Sequence, residues 1–230
     1  QVLSSEREWS RLPIRLDGLK GMELDVRLSA GRVMLAGTRI GRTALSANLR
    51  GGRFVLTIGE SQAFDGVVKG TIGIAGAADD AADLKANLQF TGVDLEKCLF
   101  VVLGVRKVEG RGDIALALDA TGSDVFELAR TLNGTGSLVA KQGALVGVNV
   151  EQVLRRLERR PLSGGGDFRS GRTPFEKLGV VVRFTDGNAS VEDVTLEGSA
   201  VRLALDGSAS IPARNLDLKG TATLIGATVK

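Results

Sequence analysis

Few residues in this chain are of types that do chemistry, and their spacing argues against a catalytic centre. The 230 residues include no His and no Tyr, and a single Cys, Cys98. Without His, the commonest general base and the commonest metal ligand are both missing. A lone Cys forms no internal disulfide, and it builds no zinc site without further Cys or His ligands. Cys98 sits in the run Lys97-Cys98-Leu99-Phe100, so it reads as a buried structural thiol, since free Cys is among the most buried residue types. Paired carboxylates occur as Asp79-Asp80 with Asp83, set among alanines. They lack the alternating spacing and closing Glu of a calcium loop, and read as a solvated turn.

The glycine-rich stretches fail as phosphate sites. Gly164-Gly165-Gly166 lacks a following Lys-Ser/Thr and comes after a helical pattern, whereas a phosphate loop needs backbone amides at a strand-to-helix turn. Gly110-Arg111-Gly112 and Gly134-Thr135-Gly136 lead into β patterns. The net charge of +3 is concentrated between Arg155 and Arg172. Elsewhere Lys and Arg mix with Asp and Glu, without the basic stripe of a nucleic-acid binder. A basic amphipathic helix with Arg155, Arg156, Arg159 and Arg160 is the best candidate binding element, since such helices can lie on anionic membranes. The plainer reading docks its apolar face on the protein and leaves the arginines in water. No catalytic, cofactor-binding or metal-binding residue is assigned, and no individual ligand-binding residue stands out.

The elements around these residues are mostly strands. Period-two alternation runs through Leu24, Val26 and Leu28; Leu45, Ala47 and Leu49; Phe54, Leu56 and Ile58; Ile114, Leu116 and Leu118; Val201, Leu203 and Leu205; and Leu216 and Leu218. Ala30-Gly31-Arg32, Arg50-Gly51-Gly52 and Asp186-Gly187-Asn188 lie between such runs and predict hairpins. The expected fold class is mainly β: an antiparallel meander, curved or sandwich-like, with two to four short helices. Helices are predicted at Asp94 to Leu103, at Val125 to Leu132 behind an Asp124/Glu127 capping box, at Asn149 to Arg160, and at Thr173-Pro174-Phe175-Glu176.

Gly92 to Leu99 matches Gly147 to Leu154 at an offset of 55 residues, and this predicts an internal repeat of a strand-strand-helix unit. The expected organisation is a β-rich repeat region over 1–160, with units at about 45–105 and 106–160, a flexible loop at 161–172, and a C-terminal antiparallel meander over 173–230. One continuous domain is the alternative. No run approaches the roughly 18 apolar residues of a membrane span. The chain opens at Gln1 without Met and reads as an internal piece of something longer, with targeting signals expected outside it.

The order of these motifs resembles the C-terminal region of the AsmA family. The resemblance rests on the segment from Gly134-Thr135-Gly136-Ser137-Leu138 through Asn149 to Glu158. It continues with Thr173-Pro174-Phe175 to Leu178, Phe184 to Ala189, and Asp193-Val194-Thr195-Leu196. Gly207 to Ile211, Asn215 to Leu218, and the upstream Phe64-Asp65-Gly66-Val67-Val68-Lys69-Gly70 complete it. It covers most of Leu24 to Leu224, departing at Lys141-Gln142 and in the long loop after Arg160. It implies a non-catalytic, cofactor-free periplasmic module, tethered to the inner membrane by a segment outside these residues and involved in outer-membrane biogenesis. It further implies lipid transport along an apolar β groove, with phospholipid or another envelope lipid as partner. The alternative it leaves is an envelope scaffold that pairs with other envelope proteins through sheet edges. Oligomeric state is open at this point.

Overall fold

The computed structural model describes residues 9–35, 38–103, 106–159 and 171–225. Thirteen strands form along the chain: β1 (Leu24–Ala30), β2 (Val33–Leu35), β3 (Thr38–Ile40), β4 (Thr43–Arg50), β5 (Arg53–Ala63), β6 (Gly66–Gly76), β7 (Ala82–Asp94), β8 (Val108–Gly122), β9 (Asn133–Val146), β10 (Arg172–Thr185), β11 (Asn188–Glu197), β12 (Val201–Ser210) and β13 (Asn215–Leu224). Three helices interrupt them: α1 (Leu95–Leu103), α2 (Val125–Arg130) and α3 (Val150–Arg159). Eleven strands make one antiparallel sheet in the order β1-β4-β5-β6-β7-β8-β9-β10-β11-β12-β13, and β2 and β3 form a separate small hairpin. The fold is therefore the mainly β meander that the alternation predicts.

Local chemistry accounts for the connections. Gly51 and Gly52 both take positive φ, at 55° and 74°. This is the backbone that a two-residue hairpin with right-handed strand twist requires. Asp94 Oδ1 accepts the Lys97 amide at 3.0 Å, and Asn149 Oδ1 accepts the Gln152 amide at 2.9 Å. The two segments related by 55 residues thus open their helices with the same Asx cap. The Asp124 carboxylate accepts the Glu127 amide at 2.8 Å. The returning Glu127 carboxylate takes both the amide and the hydroxyl of Ser123, and these bonds hold its carboxyl below the usual range.

Two expectations are corrected. The Thr173-Pro174-Phe175-Glu176 helix is part of strand β10. Thr173 is used to start a different helix: its hydroxyl accepts the Val150 amide at 3.0 Å and donates to the Val148 carbonyl at 2.7 Å. Phe175 is buried, at 3% exposure. Pro174 costs β10 nothing on the β9 side. Its carbonyl faces Gly198, so its missing N–H faces the same way, and β11 pairing begins only at Lys177 opposite Glu197. The second correction is the hairpin at Ala30-Gly31-Arg32. β1 pairs with β4 instead, and β2 and β3 pair with each other between them. Gly31 has no positive φ, so it does not form a tight hairpin turn. The predicted flexible loop lies outside the described residues up to 170, and its last residue, Arg172, opens β10.

The core gathers at one end of the strands, where Leu95 and Cys98 of α1 pack with Val93, Phe90, Ala140, Phe175 and Leu178. Leu95 and Val93 are 0% exposed and Leu196 is 1% exposed.

Two glycines of the sheet leave no room for a side chain. Gly134, at φ 134°, would carry a Cβ 2.0 Å from the Ala117 carbonyl oxygen, and Gly70, at φ 147°, a Cβ 2.1 Å from that of Asn87. Both the backbone conformation and the approach of the neighbouring strand exclude a side chain. Gly134→Ala is expected to lower unfolding stability by at least about 2 kcal/mol in a urea titration.

Candidate functional site

Register converts the alternation of each strand into rows that cross the sheet. One row reads Leu28, Leu45, Ile58, Gly70, Leu88, Leu116, Gly136, Val182, Val191, Gly207 and Leu218, through all eleven strands. The next row, two residues along, runs from Val26 and Ala47 through Leu56, Ile72, Ala86, Leu118, Gly134 and Phe184 to Ala189 and Ala209. No charged or polar side chain breaks either row. At two residues of spacing the pair forms a stripe about 7 Å across between row centres and about 48 Å long.

Flanking elements close the two ends of the strands and leave this middle open. At one end α1 and α3 cover the apolar face, with Leu95 and Cys98 inside the core and Val150 and Leu154 packed against it. At the other end α2 sits over β8: a Cβ on Gly122 would meet the Leu128 amide at 2.6 Å. An extended segment passes α2 there. The Ile14 amide donates to the Ser123 carbonyl at 2.8 Å, and Trp9 Nε1 donates to the Pro212 carbonyl at 3.1 Å. The Arg214 guanidinium lies over the Trp9 ring at 4.4 Å. Between these ends the large apolar side chains of the two rows are half-buried by one another, and at the edge Val26 is 43% and Leu28 50% exposed.

The other face is polar. Thr71, Asn87, Ala117 and Thr135 form one row, and Lys69, Gln89, Ala115 and Ser137 the next. They border a shallow depression of about 590 Å³. Its groups are short, neutral apart from Lys69, and exposed, so nothing there pairs a nucleophile with a base.

The residues singled out in the sequence fall apart rather than together. Asp79 and Asp80 are exposed in a single 3-10 turn, Ala78–Asp80, and Asp83 accepts the Thr121 hydroxyl at 2.6 Å from within β7. Among the described residues no group of three or more acidic or Cys side chains could hold a metal ion. Arg155 pairs with Glu151 one turn earlier at 2.9 Å, and Arg160 and the triple glycine lie outside the described residues. Sequence reading named no ligand-contacting residue. Alternation showed only part of the two rows, among them Leu28, Leu45, Ile58, Leu116 and Leu218, and register supplies the rest and shows that they line up. The Trp9 strap gave no signal, because its partner is 203 positions away.

Among the described residues the chain is one eleven-stranded antiparallel sheet with short helices at the ends of its strands, a mainly β scaffold. The pattern of the AsmA family matches residues 4–194, and the chain belongs to that family. The family is associated with the cell envelope and outer-membrane biogenesis and is not a known enzyme family. The closing motifs from Gly207 to Leu218 lie beyond the matched stretch. No curated protein and no solved structure matches the chain. Among the described residues no helix is long and apolar enough to cross a membrane.

Cys98 is the single thiol of the chain, and the fold suppresses it. It is 1% exposed. Burial, and then the Asp94 carboxylate, push its thiol up to about 11, so roughly one thiol in a thousand is ionised at pH 8. In the folded chain it is expected to react with a thiol reagent at least about a hundredfold more slowly than after unfolding in urea. A rate equal to that of the unfolded chain would show the α1 end to be open.

Proposed function

We propose that the chain is a non-catalytic periplasmic module that carries the acyl chains of a lipid along its apolar stripe, in the service of outer-membrane biogenesis. A segment outside residues 1–230 tethers it to the inner membrane in this reading. The observation that carries the reading is the uninterrupted apolar row from Leu28 to Leu218. Leu88 and Leu116 are half-buried at the border of the packed core. Apolar surface of this extent is unfavourable in water, and a single contiguous patch of it marks a binding surface. The stripe crosses the strands at right angles, so it runs the full length of the sheet and ends at both edges. A lipid held by its chains can slide along such a floor without any one residue setting its position. Small side chains in the rows, Ala47, Ala86, Gly136 and Gly207 among them, keep the floor low.

The test is native mass spectrometry of the purified chain, together with uptake of a fluorescent phospholipid. Bound lipid at a reproducible ratio is expected. The double substitution Leu88→Asp, Leu116→Asp puts two carboxylates in the middle of the floor, where an acyl chain would have to desolvate them. It is expected to reduce uptake at least about tenfold, whereas Gln89→Asp on the opposite face leaves uptake unchanged. A wild-type chain that neither carries nor takes up lipid would overturn the reading.

A further inference from the structure

The outer edge of β1 is complementary to itself. β1 reads Leu24-Asp25-Val26-Arg27-Leu28, with Leu24, Val26 and Leu28 on the apolar face and Asp25 and Arg27 on the polar one. On its inner side Asp25 stands opposite Asn48 and Arg27 opposite Ser46, so neither charge meets an opposite charge across the ladder. Asp25 and Arg27 make no ion pair or side-chain hydrogen bond among the described residues. Antiparallel pairing of two β1 strands about Val26 would set Asp25 opposite Arg27 twice, Leu24 opposite Leu28 twice, and Val26 opposite Val26. Cross-strand pairs of these kinds are stabilising, and like charges in the same places are not.

The edge carries two charges, Asp25 and Arg27, of opposite sign, and few other devices against strand addition. β1 contains no Pro and no Lys, and its ladder with β4 runs without a bulge. The intervening β2–β3 hairpin makes its contact with the main sheet at β5. Leu24, Val26 and Leu28 are 43%, 43% and 50% exposed, although they begin the rows that are half-buried further in.

Strand parity selects the symmetric arrangement. In an antiparallel sheet of eleven strands, the two edges, β1 and β13, run in the same direction. Joining copies head to tail with their apolar faces on one side therefore makes a parallel pair of β13 and β1. In the register that aligns Leu218 with Val26, Asp217 falls beside Asp25 and Lys219 beside Arg27. A two-fold axis normal to the sheet at Val26 keeps both apolar faces on the same side and sets opposite charges across from each other. β13 has a similar Asp217-Leu218-Lys219 motif, but pairing it with itself sets Leu216 opposite Gly220 and loses the apolar pairs that β1 supplies.

We propose that β1 pairs with β1 of a second copy, antiparallel about Val26, doubling the sheet and making one apolar stripe of two. This inference does not depend on what the stripe carries. One short strand per copy is less than a standard interface, so a concentration-dependent monomer–dimer equilibrium is expected in sedimentation velocity. Asp25→Arg and Arg27→Asp each turn two attractive pairs into two repulsive ones, and each is expected to weaken the dimer about tenfold or more. The exchanged pair Asp25→Arg, Arg27→Asp restores opposite charges and is expected to return the dimer to within about threefold of wild type. Val26→Cys is expected to form a disulfide-linked dimer on mild oxidation, with buried Cys98 silent, while Leu28→Cys alone does not. A monomer at every concentration would overturn the proposal. So would a dimer indifferent to the two single substitutions, an exchanged pair that stays monomeric with a wild-type circular dichroism spectrum, or cross-linking through Leu218→Cys in place of Val26→Cys.

Discussion

A strand that alternates apolar and polar residues must hide one of its faces, and most of this structure follows from how that requirement is met when, among the described residues, the only other sheet is a two-stranded hairpin. Eleven strands bond only to neighbours in the ladder, so their apolar sides add up to one surface instead of two facing ones. Three short helices can cover only the ends of the strands. The tightly packed core is accordingly small and lies off-centre around Leu95, Cys98 and Leu196, while the middle of the face keeps the large side chains Leu88, Leu116 and Phe184 half-buried.

The parts of the fold that were legible in the sequence are those set by local chemistry. Alternation located β1, β4, β5, β8, β12 and β13. Asx residues and the Asp124/Glu127 pair located three helix starts, and Gly51-Gly52 located a hairpin. The misreadings came from long-range context. Thr173-Pro174 is a sound helix opening by local rules, but Phe175 is drawn into the core and the Thr173 hydroxyl is claimed by α3. Likewise Gly31 reads as a turn, yet the chain makes an excursion through β2 and β3 before it returns beside β1. The site itself lay between these cases. Some residues of the stripe, such as Leu28, Leu45, Ile58, Leu116 and Leu218, were visible as members of a period-two pattern, but the rest of the rows and their alignment depend on ten ladders of register, several of them shifted by bulges such as that between Ile58 and Ser61. No local signal carries that information.

Charge in this molecule mostly positions elements. Lys97 of α1 reaches the Asp65 carboxylate in the β5–β6 turn and also Asp94, and its bond and charge hold the Asp65 carboxyl below the usual range. Arg172 at the start of β10 meets Glu109 on β8 across the intervening β9. These pairs are solvent-exposed, and each contributes modestly. Their placement fixes where the helix and the strand begin, and so helps to set the width of the open floor.

In the meander, each strand of the main sheet after β1 bonds to the strand that precedes it in the sheet and, apart from the β2–β3 excursion, in the chain. A ribosome that releases the chain from its N-terminus therefore releases strands in the order in which the sheet adds them. Each new strand finds its template already present, and no strand must wait for a distant partner still to be made. Local pairing of this kind keeps loop-closure costs low for so large a β structure. It also means that the growing edge is always the newest strand, which sets a moving boundary between ordered sheet and unfolded chain.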